Sequence, residues 1–350
     1  MRNSAIDYVC LGEGEISLLE FTEFCAGLRK IEEVDGWAYR RDGKIRINPK
    51  QKFLNDLDKL PLLPYDRLPF EKYINIGIGS GVFRPSRYFP METSRGCPQQ
   101  CTYCDKDVSS RPGYSRRSVE HILEEMRILK YKYNISELQF LDYNPLVERN
   151  RWINLCDLMI QEKLNFKWSM INGMSVRLLY NSPQMMEKCY EAGCDTFILA
   201  VESGNQQTLN NMRKEYSLNL AKIVTDRIHS MGASVAGFFL IGYLNETKEQ
   251  MYETIEYARD LGMDDISFFI CTPLPGAWLY DESKAKNQFD DNFDYIHLRY
   301  GVSNMKNPNI TKEELEKLRF EAWFDVRKHI ENNKTYLKSK YQVITNYETY

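Results

Sequence analysis

Three cysteines lie within eight residues of one another, in the segment Cys97-Pro-Gln-Gln-Cys101-Thr-Tyr-Cys104. Thiolates this close together can share one metal centre, and they are ligands for zinc and for iron–sulfur clusters. A structural zinc site needs a fourth ligand, but the next histidine, His121, comes seventeen residues later and there is no second Cys-x-x-Cys pair. Three ligands suit a 4Fe–4S cluster with one open iron, and a zinc loop or a chance grouping are the alternatives.

The other six of the nine cysteines are scattered along the chain, at Cys10, Cys25, Cys156, Cys189, Cys194 and Cys271. A chain of this length needs no disulfide framework, and the first thirty residues lack a basic start followed by an apolar stretch, so we expect no secretory signal. We therefore interpret these six as thiols, and Cys271 in particular as a small packed residue.

Composition excludes several classes of protein. The 350 residues are 43% apolar and 27% charged, and 46 basic against 49 acidic side chains give a net charge of -3. Such a charge disfavours a nucleic-acid-binding protein. The most apolar run, Val235 to Leu244, is half the roughly 20 residues that a membrane-spanning helix needs. We expect a cytoplasmic protein with no membrane span.

From about residue 88, short apolar runs alternate with amphipathic stretches, which predicts six β/α steps. The predicted strands are Tyr88–Glu92, Leu138–Asp142, Phe166–Ile171, Thr196–Val201, Ser234–Ile241 and Ile266–Cys271. The predicted helices between them are Ser118–Tyr133, Arg151–Glu162, Pro183–Ala192, Leu218–Met231 and Lys248–Leu261. This alternation is typical of a parallel sheet whose ligand sites lie at the carboxyl ends of the strands.

Local signals mark the flanking segments. Gly36 to Asn48 predicts a hairpin that turns at Asp42-Gly43. Thr311 to Glu314 is a capping box that should open a helix reaching about Ile330. The fold class is therefore α/β, a partial (β/α)6 TIM-like barrel with a short N-terminal remnant and linker and a C-terminal helical extension.

The cysteine loop, with aromatic Tyr103 before its third cysteine, closely resembles the signature of the radical S-adenosylmethionine (radical SAM) superfamily. This resemblance implies that Cys97, Cys101 and Cys104 hold a 4Fe–4S cluster whose open iron binds the amino and carboxylate groups of SAM. It also implies that an electron from the cluster cleaves SAM to a 5′-deoxyadenosyl radical, which abstracts a hydrogen atom from substrate.

Further segments resemble the family's SAM-binding positions. Phe140 to Asn144 is similar to the strand end that contacts the SAM amino group, which makes Asp142, Tyr143 and Asn144 candidates. Ala200 to Gly204 resembles the ribose-contacting segment, with Glu202 and Ser203 as its polar residues.

Lys214 matches the position of a basic side chain that meets the SAM carboxylate, and it matches better than Arg213. Phe238 to Gly242 and Cys271 to Gly276 resemble the walls on the adenine side, where Gly242 allows a backbone to approach a flat ring. Simpler alternatives remain for these residues, namely a strand-end turn for Asp142 and Asn144 and a solvated helix-end charge for Lys214.

Thr93 to Pro98, with Ser115 to Ser118 and Glu124-Glu125, resembles the entry of the subgroup that carries an N-terminal cobalamin-binding domain. Ile6 to Glu15 is similar to the last strand and turn of that domain, and Ser17 to Leu28 to its closing helix. One strand and one helix cannot build a corrin cleft, and no Asp-x-His-x-x-G run is present. Cobalamin binding by this chain alone is therefore not expected, and natural loss, a split gene and a late start codon all remain open.

We divide the chain into residues 1–28 as the remnant, 29–80 as a linker with the hairpin, 81–285 as the radical SAM core and 286–350 as the C-terminal extension. The resemblance implies C–H activation on a small-molecule, lipid or peptide substrate, with methyl transfer as the first expectation and cyclisation as another. It implies a reductant such as flavodoxin or ferredoxin, and a partner chain could carry a cobalamin domain. The competing hypothesis is a non-catalytic iron–sulfur subunit of a split or larger complex.

Overall fold

The computed structural model describes residues 5–76, 78–79, 82–83 and 87–333. The predicted boundary between linker and core, at residues 80 and 81, lies outside the described residues. The same is true of residues 334–350 of the predicted C-terminal extension.

The N-terminal segment forms a small antiparallel sheet covered by one helix. Its elements are β1 (Tyr8–Cys10), α1 (Glu15–Cys25), β2 (Trp37–Arg41) and β3 (Lys44–Ile47), with strand order β1-β2-β3. Trp37 stacks on Phe21 of the helix, with ring centroids 4.0 Å apart. Because β1 pairs with β2, the predicted remnant and the predicted linker share one sheet.

The predicted hairpin is confirmed, including its turn. Asp42 and Gly43 have φ angles of +51° and +72°, as a two-residue turn matching the strand twist requires. The segment then continues through α2 (Phe70–Ile76) and two short paired strands, β4 (Ile78–Gly79) and β5 (Val82–Phe83).

The central part of the chain alternates strands and helices. Its strands are β6 (Tyr88–Met91), β7 (Ser94–Gly96), β8 (Tyr114–Arg116), β9 (Glu137–Phe140), β10 (Lys167–Met170), β11 (Thr196–Glu202), β12 (Ser234–Ile241) and β13 (Asp265–Ile270). Its helices are α3 (Lys106–Ser109), α4 (Val119–Arg127), α5 (Arg149–Gln161), α6 (Val176–Tyr180), α7 (Pro183–Glu191), α8 (Gln206–Asn211), α9 (Asn219–Ser230), α10 (Lys248–Asp260), α11 (Trp278–Ala285) and α12 (Lys312–Asn333).

Six of these strands are parallel and lie in chain order. β6, β9 and β10 form one sheet, and β11, β12 and β13 form a second. Two isolated parallel bridges, Trp168 to Cys194 and Met174 to Leu199, connect the region of β10 with that of β11. The predicted parallel pairing is therefore confirmed within each sheet, whereas one continuous barrel sheet is not formed by these pairings.

An apolar core lies between the strands and the helices that cover them. Trp152 of α5 contacts Phe140 and Trp168 edge-on, with ring centroids 5.2 and 5.8 Å apart. Such contacts combine a large buried area with a preferred ring geometry. This packing holds β9 and β10 under α5, so the polar residues that follow these strands have a rigid base.

Helix ends follow the predicted signals. Thr247 and Gln250 form a reciprocal capping box at the start of α10, and Thr311 and Glu314 form another at α12. In α12, Arg319 donates from Nε to the carbonyl oxygen of Phe268 at 2.9 Å, which fastens this helix to β13.

Sequence periodicity did not predict the shortest elements. The strands β7 and β8 have three residues each, and α6 and α8 have five and six residues. These helices have fewer than two turns, and these strands are too short for an alternation of apolar and polar residues to repeat. The spacing of apolar residues therefore cannot identify them. None of the described helices combines the length with the apolar character that a membrane crossing requires.

Candidate active site at the carboxyl ends of the strands

The cysteine loop begins directly after β7, which pairs with β8. Gly96 is the last residue of β7, at φ +76°. A Cβ atom on it would lie 2.3 Å from the carbonyl oxygen of Gly113, so only glycine permits this close approach of two backbones. The path of the chain into Cys97 is therefore fixed one residue before the first thiol.

The three thiols of the loop are neighbours. Cys97 is buried, and Cys101 and Cys104 are partly buried. Burial raises the pKa of the Cys104 thiol to about 12, against a hydrogen bond from the backbone N–H of Lys106, and the negative charges of Cys101 and Cys97 add to the increase. Within the described ranges, no three His, Cys, Asp or Glu side chains converge as the ligands of a single metal ion would. The donor set of three adjacent thiols fits a 4Fe–4S cluster.

Hydrogen bonds to neighbouring elements anchor the middle of the loop. The hydroxyl of Thr102 lies 2.8 Å from that of Tyr243, its backbone N–H donates to Met212, and its carbonyl accepts from Leu279. Sequence reasoning did not select Tyr243. Tyr243 lies two residues after the end of β12. Functional residues of such folds are found in the loops after strands, and this position could have identified it.

Asp142 follows β9, and its carboxylate accepts hydrogen bonds from Thr93 and Ser94. It accepts from the backbone N–H of Thr93 at 3.1 Å, from the Thr93 hydroxyl at 2.7 Å and from the Ser94 hydroxyl at 2.6 Å. Burial raises the pKa of Asp142, and these hydrogen bonds only partly oppose the increase. Asp142 thus fastens the start of β7, three to four residues before Cys97.

The next two residues lie closer to the loop. Tyr143 is half-buried, and Asn144 is 6% exposed. The Nδ2 atom of Asn144 donates to Sγ of Cys97 at 3.7 Å. The strand end that resembles a SAM-binding segment therefore contacts the cysteine loop directly.

Glu202 ends β11 in an unusual conformation. The register of β11 against β12 shifts between Ala200 and Glu202, and Glu202 has a φ of +74°. In a regular strand, successive side chains point to opposite faces of the sheet. A β-bulge interrupts this alternation and so changes the direction in which the Glu202 side chain points. A left-handed backbone in a residue other than glycine is costly and is often found at functional sites.

Three of the predicted site residues meet at this bulge. The hydroxyl of Tyr103 donates to Oε1 of Glu202 at 2.7 Å. The ammonium of Lys214 lies 2.9 Å from the same oxygen and 5.9 Å from the centre of the Tyr103 ring. The cysteine loop, the end of β11 and the segment after α8 thus converge on one carboxylate.

The positive charge of Lys214 balances the negative charge of Glu202 in this cluster of Tyr103, Glu202 and Lys214. Burial lowers the pKa of Lys214, but the negative charges of Glu202, Cys101 and Cys104 outweigh it, so the pKa is raised overall. Burial and the Glu202 carboxylate both raise the pKa of Tyr103. Lys214 is therefore a cation and Tyr103 a neutral donor at physiological pH.

Ser203 and Gly242 make bonds within the scaffold. The Ser203 hydroxyl lies 3.0 Å from that of Thr254 and accepts from the backbone of Asn205 at 3.0 Å. The backbone N–H of Gly242 donates to Glu246 at 2.7 Å. Burial raises the pKa of Glu246 to about 7, although two backbone N–H groups oppose the increase.

A cavity of about 260 Å³ adjoins the cysteine loop. It is bordered by Gln99 and Gln100 of the loop, by residues 175–178 and by residues 213–216. Lys214 therefore borders this cavity as well as the Glu202 cluster. The arrangement places a basic residue and the first part of the cysteine loop beside a space that a polar ligand can enter.

Comparison with known proteins gives a family match to this region. A family model described as the radical SAM superfamily matches residues 91–276, more than half of the chain. An uncharacterized methyltransferase of Pyrococcus horikoshii is 30% identical over 282 residues, which cover 81% of this chain and 59% of that protein. The anaerobic magnesium-protoporphyrin IX monomethyl ester cyclase of Rubrivivax gelatinosus is 26% identical, over 89% of this chain and 54% of its own length.

A solved structure shows the same fold. It is the radical S-adenosylmethionine methyltransferase TsrM of Kitasatospora setae, with cobalamin and a 4Fe–4S cluster bound. Its TM-score is 0.69 at 13% identity, and the match covers 91% of this chain and 63% of that chain. The chain therefore spans between half and two thirds of the length of the proteins compared here.

Proposed function

This chain belongs to the radical SAM superfamily, and from that premise we propose that it cleaves SAM to activate a C–H bond of a substrate. Cys97, Cys101 and Cys104 would hold a 4Fe–4S cluster. When bound, such a cluster supplies the electron that splits SAM into methionine and a 5′-deoxyadenosyl radical, which takes a hydrogen atom from the substrate. The observation that carries the proposal is the buried Glu202–Lys214 pair beside the thiols of Cys101 and Cys104.

In this proposal the protein binds SAM through charge and hydrogen bonds. Lys214 would pair with the SAM carboxylate, because it is a buried cation that also borders the cavity beside the cysteine loop. Glu202 would accept hydrogen bonds from the ribose hydroxyls, and its bulged backbone would hold it in place. Tyr103 would keep the carboxylate of Glu202 oriented.

The SAM amino group would bind at the end of β9. The carboxylate of Asp142 is already occupied by Thr93 and Ser94, which favours backbone carbonyls near Asp142, Tyr143 and Asn144 as the acceptors. Ser203 and Gly242 complete the proposed site by shaping the ribose and adenine sides. The two parallel sheets would then be the two parts of one partial (β/α)6 TIM-like barrel around the cofactors.

Reaction and substrate are proposed only by class. We propose methyl transfer or a cyclase-like rearrangement, because relatives carry both names. The substrate would be a small molecule, a lipid or a peptide, and the electron would come from a protein such as flavodoxin or ferredoxin. We propose a cytoplasmic location for this chemistry.

The described N-terminal residues do not fit a cobalamin site. They form a three-stranded antiparallel sheet with one helix, whereas a corrin is bound in a cleft at the ends of parallel strands. A cobalamin-dependent step would therefore need a domain outside these residues, which a partner chain could carry.

A second candidate function is a non-catalytic iron–sulfur subunit of a larger complex. In that role the three thiols of the cysteine loop would hold a cluster that only passes electrons on. Against it stands the assembled Glu202–Lys214–Tyr103 cluster, which an electron carrier would not need.

Anaerobic reconstitution separates the two functions. The chain is loaded with iron and sulfide, reduced, and assayed for conversion of SAM to 5′-deoxyadenosine, with iron content measured in parallel. We expect about four irons per chain and SAM cleavage in the wild type, loss of both after Cys101→Ala, and no change after Cys25→Ala at an exposed thiol. A full cluster that leaves SAM intact would favour the subunit, and cleavage retained in Cys101→Ala would refute the assignment.

A further inference from the structure

A buried side chain from outside the cysteine loop donates a hydrogen bond to one of the three sulfurs of that loop. The Nδ2 atom of Asn144 lies 3.7 Å from Sγ of Cys97, and the two residues are 6% and 8% exposed. Asn144 follows β9, forty-seven residues along the chain from Cys97. The contact is therefore made by the tertiary fold.

We propose that Asn144 is a positioning residue that donates to the Cys97 thiolate and thereby raises the reduction potential of the cluster. This inference rests on the proposed function. A thiolate is only an acceptor, whereas the amide of asparagine offers two N–H donors. Hydrogen bonds to the sulfurs of an iron–sulfur cluster are among the features that set its potential.

The direction of the effect follows from electrostatics. Reduction adds one negative charge to the cluster and its ligands, so a donor on a ligand sulfur stabilises the reduced state more than the oxidised state. Burial strengthens this interaction, because little water competes for the sulfur. Removing the donor should therefore lower the potential and make reduction harder.

The other two sulfurs have donors of a different kind. Cys104 accepts from the backbone N–H of Lys106, two residues further on, and among substitutions of Lys106 only proline removes that group. The Tyr103 hydroxyl interacts with Cys101, but it also donates to Glu202. Among the side-chain donors in the described part of the chain, the Asn144 amide is thus the one whose loss tests a single sulfur without disturbing the Glu202 cluster.

The surrounding backbone holds the amide in place. Asp142, two residues earlier, is fixed to Thr93 and Ser94. Pro145 begins a short, buried 3-10 turn directly after Asn144, whose φ and ψ are −163° and 75°. A proline disfavours the helical conformation for the residue before it, so the backbone that carries the Asn144 amide has little freedom to change.

The test measures the cluster potential in the absence of SAM. Wild type, Asn144→Leu and the control Asn172→Leu are reconstituted in full-length chain, and the reduced cluster is titrated by EPR. Asn172 is an exposed amide that bonds to the carbonyl of Leu141 at 2.6 Å, near the same strand end. We expect four irons per chain in all three, a more negative midpoint potential in Asn144→Leu alone, and loss of an exchangeable-deuteron coupling to the cluster in that variant.

The possible outcomes distinguish failure of the role proposed for Asn144 from failure of the proposed function. An unchanged midpoint in Asn144→Leu, with iron content intact, overturns the role of Asn144 and leaves SAM cleavage standing. A wild type that binds no cluster refutes the proposed function instead. If Asn144→Leu loses its iron, Asn144→Ala is measured, and a lower midpoint there supports the inference. Loss of the cluster in both variants contradicts tuning, because Asn144 would then be needed to build the loop.

Discussion

The ammonium of Lys214 lies 2.9 Å from Oε1 of Glu202, and the two side chains are only 11% and 8% exposed. The pair joins the segment after α8 to the bulge at the end of β11. Because both charges are desolvated, breaking the pair costs far more than breaking an exposed ion pair would. The ammonium of Lys214 also interacts electrostatically with two cysteines of the loop, Cys101 and Cys104.

Replacing Lys214 should affect stability and SAM binding by separable routes. In Lys214→Met the Glu202 carboxylate is left buried and unpaired, which should cost about 3–5 kcal/mol of unfolding free energy. SAM affinity should fall at least about tenfold, equivalent to ~1.4 kcal/mol. Denaturant unfolding and equilibrium dialysis of SAM measure the two effects.

A double variant separates these two contributions. Lys214→Met with Glu202→Gln removes both charges, so stability should partly recover while SAM binding stays weak. Lys222→Met serves as the exposed control, because its ion pair with Asp226 is about half exposed on both sides and should contribute less than about 1 kcal/mol. Recovery of SAM binding in the double variant would contradict the role assigned to Lys214.

The Tyr103 hydroxyl should be worth one charge-assisted hydrogen bond. In Tyr103→Phe, Glu202 loses a donor at 2.7 Å, and we expect a loss of about 1.5–3 kcal/mol in stability. SAM binding should weaken several-fold while iron content stays unchanged, as isothermal titration and iron analysis would show. In the control Tyr280→Phe, the hydroxyl bond to Tyr295 that is lost is exposed. This substitution should change neither stability nor SAM binding, and equal effects of both substitutions would argue against a role of Tyr103 at the site.

Asp142 should matter for building the loop. Asp142→Asn keeps the shape of the side chain but replaces one acceptor oxygen with a donor, opposite the hydroxyls of Thr93 and Ser94. We expect about 2–3 kcal/mol lower stability and incomplete iron loading after reconstitution. Asp157→Asn, at a half-exposed carboxylate on α5, is the matched control. Full loading of Asp142→Asn would show that the loop forms without this anchor.

Glu246 should give the protein a pH-dependent stability below neutrality. Its pKa is raised to about 7 by burial, above the value in the unfolded chain, so the folded state holds the proton more tightly. Its stabilising contribution is complete below about pH 4 and is lost as pH rises through about 7. Over that window stability should fall by about 3 kcal/mol from this group alone.

The matching substitution removes this titration. Glu246→Gln should flatten the dependence of unfolding free energy on pH between about 4 and 7. Glu256→Gln, an exposed position on the same helix α10, should leave the slope as it is in the wild type. An identical slope in Glu246→Gln and wild type would show that Glu246 does not titrate in this range.

Local sequence was sufficient for the order and type of the main elements. The six strands of the parallel sheets and the five predicted helices lie within two residues of their predicted bounds, except that α4 ends at Arg127, six residues before the predicted Tyr133, where a π-helix over Ile128–Lys132 follows it. Their signals are local, because hydrophobic period, capping boxes and turn residues act within a few positions of each other. The cysteine spacing, Glu202 and Lys214 could also be selected from residues and motifs alone.

Only the tertiary structure decided what these residues contact. No local pattern predicts that β11 bulges at Glu202, that Lys214 and Tyr103 share one carboxylate oxygen, or that Asp142 bonds Thr93 while Asn144 reaches Cys97. These contacts join segments separated by up to about a hundred residues. Their geometry follows from the packing of separate strands, because each strand end is placed by its neighbours in the sheet and not by the residues beside it in sequence.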